Sequence, residues 1–112
     1  ESKLLNFFSS TVFFYKNLCL LNDNNLVHIK NKKNIFLTEI ESKILKLLFT
    51  KNFVLKKFIN IQVLRQHPNV ESKSLESHLY RIRKKILTLD SQIQIIPHDS
   101  KSIKIHLNTN LK

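Results

Sequence analysis

The sequence of 112 residues contains no glycine, no methionine and no tryptophan, and it has a single cysteine and two prolines. An average protein is about 7% glycine, so this absence is unusual. It excludes the glycine-rich loops that hold phosphates in P-loop enzymes, and it excludes the dinucleotide-binding fingerprint. Cys19 cannot form a disulfide within the chain, which is typical of a reducing compartment. No feature of the sequence indicates an enzyme.

Metal-binding and membrane signals are also missing. The five histidines have no metal-ligand spacing and no second cysteine accompanies them, so we expect no metal and no cofactor. No apolar run approaches the length of about 18 residues that spans a membrane, and the first residues do not resemble a signal peptide. We therefore expect a cytoplasmic protein without a membrane partner. Because the chain begins at Glu1, we expect a fragment or a processed chain.

Acidic residues are scarce relative to basic ones. The chain has 19 Lys and Arg against 8 Asp and Glu, which gives a net charge of +11 and a pI near 10.0. Eight of the basic residues lie between positions 56 and 85, where only two Glu occur. This charge distribution is the one expected of a protein that binds nucleic acid phosphates.

The first third of the chain has the pattern of short strands. Between Val12 and Leu37, apolar runs of three or four residues alternate with turns made of Asn, Asp and Lys. The pattern predicts four antiparallel strands in a meander. Asn and Asp tolerate left-handed backbone angles, so we expect them to replace glycine in the turns.

Helical patterns follow. Thr38 and Glu41 have the spacing of a capping box, which predicts a helix from there to about Phe49. A second helix is predicted from about Lys56 to Arg65, with Leu55 unable to cap it. A third is predicted over residues 73–89, with one basic, hydrogen-bonding face and one apolar face formed by Leu75, Leu79, Ile82 and Ile86.

Near the end of the chain, apolar and polar residues alternate again. Residues 92–96 and 102–107 alternate apolar and polar side chains, and residues 97–101 separate them as a turn. This predicts a C-terminal β-hairpin. The fold class is therefore α+β, with an N-terminal four-stranded antiparallel sheet, three helices and the hairpin.

Two segments resemble one known family. The stretch Lys-Ser-Leu-Glu-Ser-His-Leu-Tyr-Arg-Ile-Arg-Lys-Lys-Ile at 73–86 is similar to the recognition helix of OmpR/PhoB-type response regulators, which commonly reads Arg-Thr-Val-Asp-Val-His-Ile-Ser-Arg-Leu-Arg-Lys-Lys-Leu. The stretch 37–48 is similar to the family's Leu-Thr-x-x-Glu-x-x-Leu-Leu-x-x-Leu. The resemblance implies a winged helix-turn-helix domain over residues 12–112, whose third helix enters the major groove of DNA. Residues 1–11 would be a linker or the remnant of a preceding receiver domain.

The resemblance also implies site residues. Ser77 and Arg81 point away from the apolar face and are the candidates for reading bases, since Arg can donate to guanine O6 and N7. Eight further residues are candidates for phosphate binding, six on the helix and two on the wing hairpin: Lys73, Ser74, His78, Arg83, Lys84, Lys85, Lys101 and Lys104. The wing lacks the Gly-x-Gly-Tyr run that is typical of the family.

The implied partner is double-stranded DNA, bound by a chain that is monomeric alone and pairs on tandem repeats. In some family members the loop that corresponds to residues 66–72 contacts RNA polymerase. The abundance of Asn, Lys and Ile suggests an AT-rich genome, and the resemblance implies a bacterial one. Two alternatives stay open: a winged-helix interaction module that has lost DNA binding, and a basic module for RNA or acidic membrane surfaces. RNA modules usually expose aromatic platforms, whereas only Tyr80 lies on the basic face of the helix.

Overall fold

The computed structural model describes residues 12–64 and 74–108 and begins with a four-stranded sheet. The strands are Phe13–Tyr15 (β1), Leu18–Leu20 (β2), Asn25–His28 (β3) and Asn34–Phe36 (β4). They pair antiparallel in chain order, which confirms the predicted meander. The inward-facing side chains of β2 and β3, with Leu37 after β4, contribute to the hydrophobic core. The predicted linker, residues 1–11, lies outside the described residues.

The turns of this sheet differ from the prediction. Left-handed backbone angles occur at Lys16 (φ 53°), Asn24 (φ 70°) and Lys32 (φ 63°), so Asn occupies only one of the three positions. A side chain with a Cβ costs about 1–2 kcal/mol in this conformation. The strand pairing on both sides of each turn offsets that cost, as where Lys32 N donates to His28 O at 2.8 Å.

The first helix, Glu39–Thr50 (α1), begins at the predicted capping box. Glu41 N donates to Thr38 Oγ1 at 3.1 Å, and Thr38 N donates to Glu41 Oε1 at 3.0 Å. These bonds satisfy amide groups that have no partner inside the helix. The face of α1 that carries Ile44 and Leu48 is fully buried.

The other two helices are Lys56–Gln62 (α2) and Ser74–Leu89 (α3). α2 ends at Gln62, earlier than the predicted end at about Arg65. Leu55 makes no capping bond, as expected. The predicted apolar stripe of α3 is confirmed, since all four side chains are at most 4% exposed: Leu75, Leu79, Ile82 and Ile86. Neither α3 nor the other helices described are long and apolar enough to cross a membrane.

The chain ends in the hairpin Ile93–Asp99 (β6) and Ser102–Leu107 (β7). The hairpin is confirmed, but the predicted turn at 97–101 is wrong, because β6 continues through Pro97 and only Ser100 and Lys101 form the turn. Proline is tolerated there because β6 is an edge strand of its sheet. A third strand, Val54–Leu55 (β5), pairs with β7 and was not predicted, since two residues cannot show an alternating pattern.

Candidate nucleic-acid interface

The outward face of α3 is exposed to solvent. Its four outward side chains are all exposed to solvent: Ser77, Tyr80, Arg81 and Lys84. Tyr80 is 60% exposed, and Lys84 Nζ lies 5.3 Å from the centroid of its ring. Both predicted base-reading residues therefore share one exposed surface with Tyr80. The sequence had placed Tyr80 on this face without giving it a role.

Lys85 is positioned differently from its exposed neighbour Lys84. Its Nζ donates to Glu41 Oε1 at 2.6 Å, and the Glu41 side chain is 0% exposed. The same oxygen accepts the capping bond from Thr38 N. A buried carboxylate needs a compensating cation, so Lys85 links α3 to the first turn of α1. The capping-box pattern predicted the cap but gave no sign of this second role for Glu41.

Arg83 and His78 lie on the flanks of α3 and are half-buried. Arg83 Nε donates to the backbone oxygen of Ile95 in β6 at 3.1 Å. This bond joins the helix to the edge strand of the wing, so Arg83 holds the two elements in a fixed relation. Neither side chain reaches into solvent as Lys84 does.

The C-terminal end of α3 is tied to the N-terminal sheet. His28 in β3 contacts Asp90, with 3.1 Å between Nε2 and Oδ2, and both side chains are almost buried. Asn31 N donates to His28 Nδ1 at 3.2 Å, and Asn31 Nδ2 donates to Leu89 O at 3.3 Å. Since Nδ1 accepts a hydrogen bond, the arrangement fits a neutral imidazole that donates to Asp90 through Nε2. No sequence pattern relates residues 62 positions apart, so this link was not predicted.

The wing turn, the start of α2 and the first turn of α3 lie side by side. Lys56 N donates to Lys101 O at 2.9 Å, and Lys56 Nζ lies 3.3 Å from Glu76 Oε2. The side chains of Lys57 and Lys101 are exposed around one shallow depression. The structure therefore places the predicted wing residue Lys101 beside a basic residue, Lys57, that the sequence analysis did not select.

The second wing candidate lies elsewhere. Lys104 is half-buried and lines a depression with Tyr15, Phe49 and the end of α1. Two further candidates lie outside what the structure describes: Lys73, and the side chain of Ser74. The loop 66–72 also lies outside the described residues.

Asp99 shapes the turn that presents Lys101. Lys101 N and Ser102 Oγ each donate to Asp99 Oδ1 at 2.8 Å. These two hydrogen bonds hold the pKa of the Asp99 carboxyl below its usual value of 3.8. The Asp99 carboxylate therefore fixes the turn through two hydrogen bonds that it accepts.

The Asp99 bonds predict an effect of acid on stability. Because the pKa of Asp99 is lower in the folded chain, its contribution is fully present above the unfolded pKa and is lost as pH falls through the folded pKa. Asp99→Asn keeps an acceptor oxygen but removes the charge. We expect this variant to be less stable than the parent near neutral pH, with the difference shrinking as pH falls below 3.8 and through the folded pKa of Asp99. Urea unfolding over a series of pH values from neutral to acid measures this, and a difference that does not shrink in acid contradicts the assignment.

Within residues 12–64 and 74–108, no group of three His, Cys, Asp or Glu side chains could hold a metal ion. Cys19 is buried, and burial raises the pKa of its thiol. A thiol of raised pKa is a poor nucleophile at neutral pH.

The fold has a solved counterpart. The chain is similar to the C-terminal domain of NsrR, a lantibiotic response regulator described as the nisin resistance regulator. The TM-score is 0.66 at 20% sequence identity, and the match covers 82% of this chain and 94% of that one. No protein-family model and no curated protein sequence matches the chain. The chain thus has the winged-helix fold of a response-regulator C-terminal domain.

Proposed function

We propose that this chain is a sequence-specific DNA-binding domain and acts as the output domain of an OmpR/PhoB-type response regulator. The observation that carries the proposal is the division of α3 into a fully buried apolar stripe and an exposed face with Ser77, Tyr80, Arg81 and Lys84. The major groove of B-DNA admits one α-helix. A helix held rigidly by its other face presents these side chains at fixed positions, as base reading requires.

We assign base reading to the centre of this face. Arg81 is exposed and can donate two hydrogen bonds to guanine O6 and N7. Ser77, one turn before it, is short and can approach a base edge as donor or acceptor. Tyr80 lies between them along the chain and offers an apolar ring to the groove.

We assign phosphate binding to the cations around this face. Lys84 is exposed on α3, and Lys101 and Lys57 are exposed at the wing turn and the start of α2. Other predicted residues remain candidates, with the flanking and undescribed positions among them: Lys73, Ser74, His78, Arg83 and Lys104. We assign Lys85 to the support of the fold instead, because its ammonium group contacts the buried Glu41 carboxylate.

The salt dependence of DNA binding tests this proposal. Each phosphate contact lowers log K by about 0.9 per unit of log salt, so three or more contacts give a slope of about −3 or steeper. We expect Lys84→Ala to bind all sequences more weakly and to make the slope shallower by about one. Fluorescence anisotropy with a labelled duplex at several salt concentrations gives both quantities.

Two results would contradict the proposal. One is the absence of binding to duplex DNA at low salt by a folded domain. The other is binding whose affinity does not change with salt. Preferential binding to single-stranded RNA or to acidic vesicles would favour the alternative of a general basic module.

The remaining partners follow from the same assignment. We propose a receiver domain upstream in the intact protein, and a domain that is monomeric alone and pairs on tandem DNA repeats. Contact with RNA polymerase is proposed for residues 66–72. A protein with this role acts where a bacterium keeps its DNA, in the cytoplasm.

A further inference from the structure

The described surface carries an apolar patch that DNA binding does not explain. Four large apolar side chains on α2 and just before it are exposed, and we call them the α2 patch: Phe53 43%, Leu55 47%, Phe58 37% and Ile61 39%. Phe58 and Ile61 are three residues apart and therefore neighbours on one side of the helix, and Leu55 directly precedes its first turn. An exposed cluster of this kind commonly marks a protein interaction site.

Phe58 lies on the far side of α2 from the proposed DNA surface, whereas Leu55 also borders the depression around Lys57 and Lys101. Lys56 pairs with Glu76 of α3, which identifies the side of α2 that borders α3. Phe58 is two residues further along, about 200° around the helix axis. Apolar side chains on that side contribute little to binding the charged phosphate backbone of DNA.

The shape of the patch suits the insertion of one apolar side chain. Phe53, Leu55 and Phe58 line a depression of about 190 Å³ with Val54 and Lys51. The Phe53 ring stacks on His98 of the wing, with ring centroids 4.3 Å apart and planes 5° from parallel. The depression therefore lies between α2 and the residues that lead into it, beside the wing.

The charges around the patch are positive. Lys51 Nζ lies 5.9 Å from the centroid of the Phe58 ring, and Lys57 is exposed on the same helix. Residues 56–62 of α2 contain no Asp or Glu. The nearby Asp99 carboxylate of the wing turn already accepts hydrogen bonds from Lys101 and Ser102. An apolar centre with a cationic rim is complementary to a partner with apolar side chains among acidic ones.

We propose that the α2 patch is a docking site for an acidic amphipathic segment of a partner protein, which inserts an aromatic or leucine side chain between Phe53 and Phe58. The segment would lie along α2 in the manner of a helix in a groove, with its acidic side chains towards Lys51. Lys57 is left to the proposed DNA surface, so either activity can exist without the other.

The test uses three synthetic peptides and the ¹⁵N-labelled chain. The probe is an amphipathic peptide of about 16 residues with Leu and Phe on one face and Glu and Asp on the other. One control peptide replaces the acidic residues by Lys, and the other replaces Leu and Phe by Ser. We expect the probe to shift the amide signals of residues 51–62 and of His98, and to bind at least about tenfold more tightly than either control peptide.

Variants locate the binding. Phe58→Ser and Lys51→Glu should each weaken binding of the probe by about tenfold or more. The matched control is Leu87→Ser, which removes an exposed apolar side chain (58% exposed) from α3 and should change nothing. Lys51→Glu changes only an exposed charge, so it stays informative even if Phe58→Ser affects folding.

Several outcomes would overturn the proposal. They are equal binding of the Lys-containing peptide, no binding at about 1 mM probe, and signal shifts confined to another surface. A shift of the same patch amides by duplex DNA would instead assign the patch to the DNA interface. Failure of the domain to bind DNA would leave this proposal untouched, so the two proposals are tested separately.

Discussion

Replacing Lys85 by Met is expected to lower the free energy of unfolding by about 3–5 kcal/mol, because it leaves the buried Glu41 carboxylate without its cation. Lys85 Nζ lies 2.6 Å from Glu41 Oε1, and the Glu41 side chain is fully buried. Met and Lys have similar helix propensities, so α3 itself is not weakened. Urea unfolding followed by circular dichroism measures the change.

Two further variants show that the effect comes from the buried charge. Lys84→Met is the matched control, since Lys84 is exposed and its contact with the Tyr80 ring contributes about 0.5–1 kcal/mol at such sites. The double variant Glu41→Gln with Lys85→Met removes the charge but retains an oxygen that can accept the bond from Thr38 N. We expect it to recover much of the lost stability. If Lys85→Met and Lys84→Met behave alike, the ion pair does not support α3.

Arg81→Ala is expected to weaken specific DNA binding by about 1–3 kcal/mol and to relax the preference at one base position. Its side chain is exposed and lies opposite the buried stripe, so the free energy of unfolding should stay nearly unchanged. A selection of binding sites from a random duplex library, run on the parent and the variant, measures preference and affinity together.

Lys84→Ala is the control for this experiment. Lys84 lies one turn further along the same exposed face and is assigned to phosphate, so its loss should weaken binding without changing the selected sequence. If Arg81→Ala keeps the parental sequence preference and Lys84→Ala changes it, the two roles are reversed. In that case α3 enters the groove at a different angle from the one proposed.

Local patterns predicted the elements of this fold. The capping box at Thr38 and Glu41 predicted the start of α1, because both of its hydrogen bonds join residues within four positions of the sequence. The apolar spacing of α3 placed Leu79 inside and Arg81 outside, since helix geometry alone fixes that relation. The element boundaries were less certain, as the early end of α2 and the long strand β6 show.

The sequence did not predict which basic residues are exposed and which contact buried groups. Lys84 and Lys85 are adjacent and identical in type, yet one is exposed and the other contacts a buried carboxylate. Helix geometry puts Lys85 nearer the apolar stripe, but its partner Glu41 is 44 residues away in sequence. Both lysines match the recognition-helix pattern, so both were candidates for phosphate binding. A local match carries no information about a distant partner such as Glu41.

The sequence by itself determined the order of the elements, the inward face of each helix and the strongly basic surface, because these depend on spacing and charge within short segments. The tertiary structure decided which cations remain exposed, how His28 and Asp90 join the sheet to the end of α3, and where Phe53 stacks on His98. Each of these depends on contacts between residues far apart in the chain. For the polar contacts the physical reason is desolvation. A polar group that becomes buried is costly unless it forms a hydrogen bond or an ion pair inside the fold.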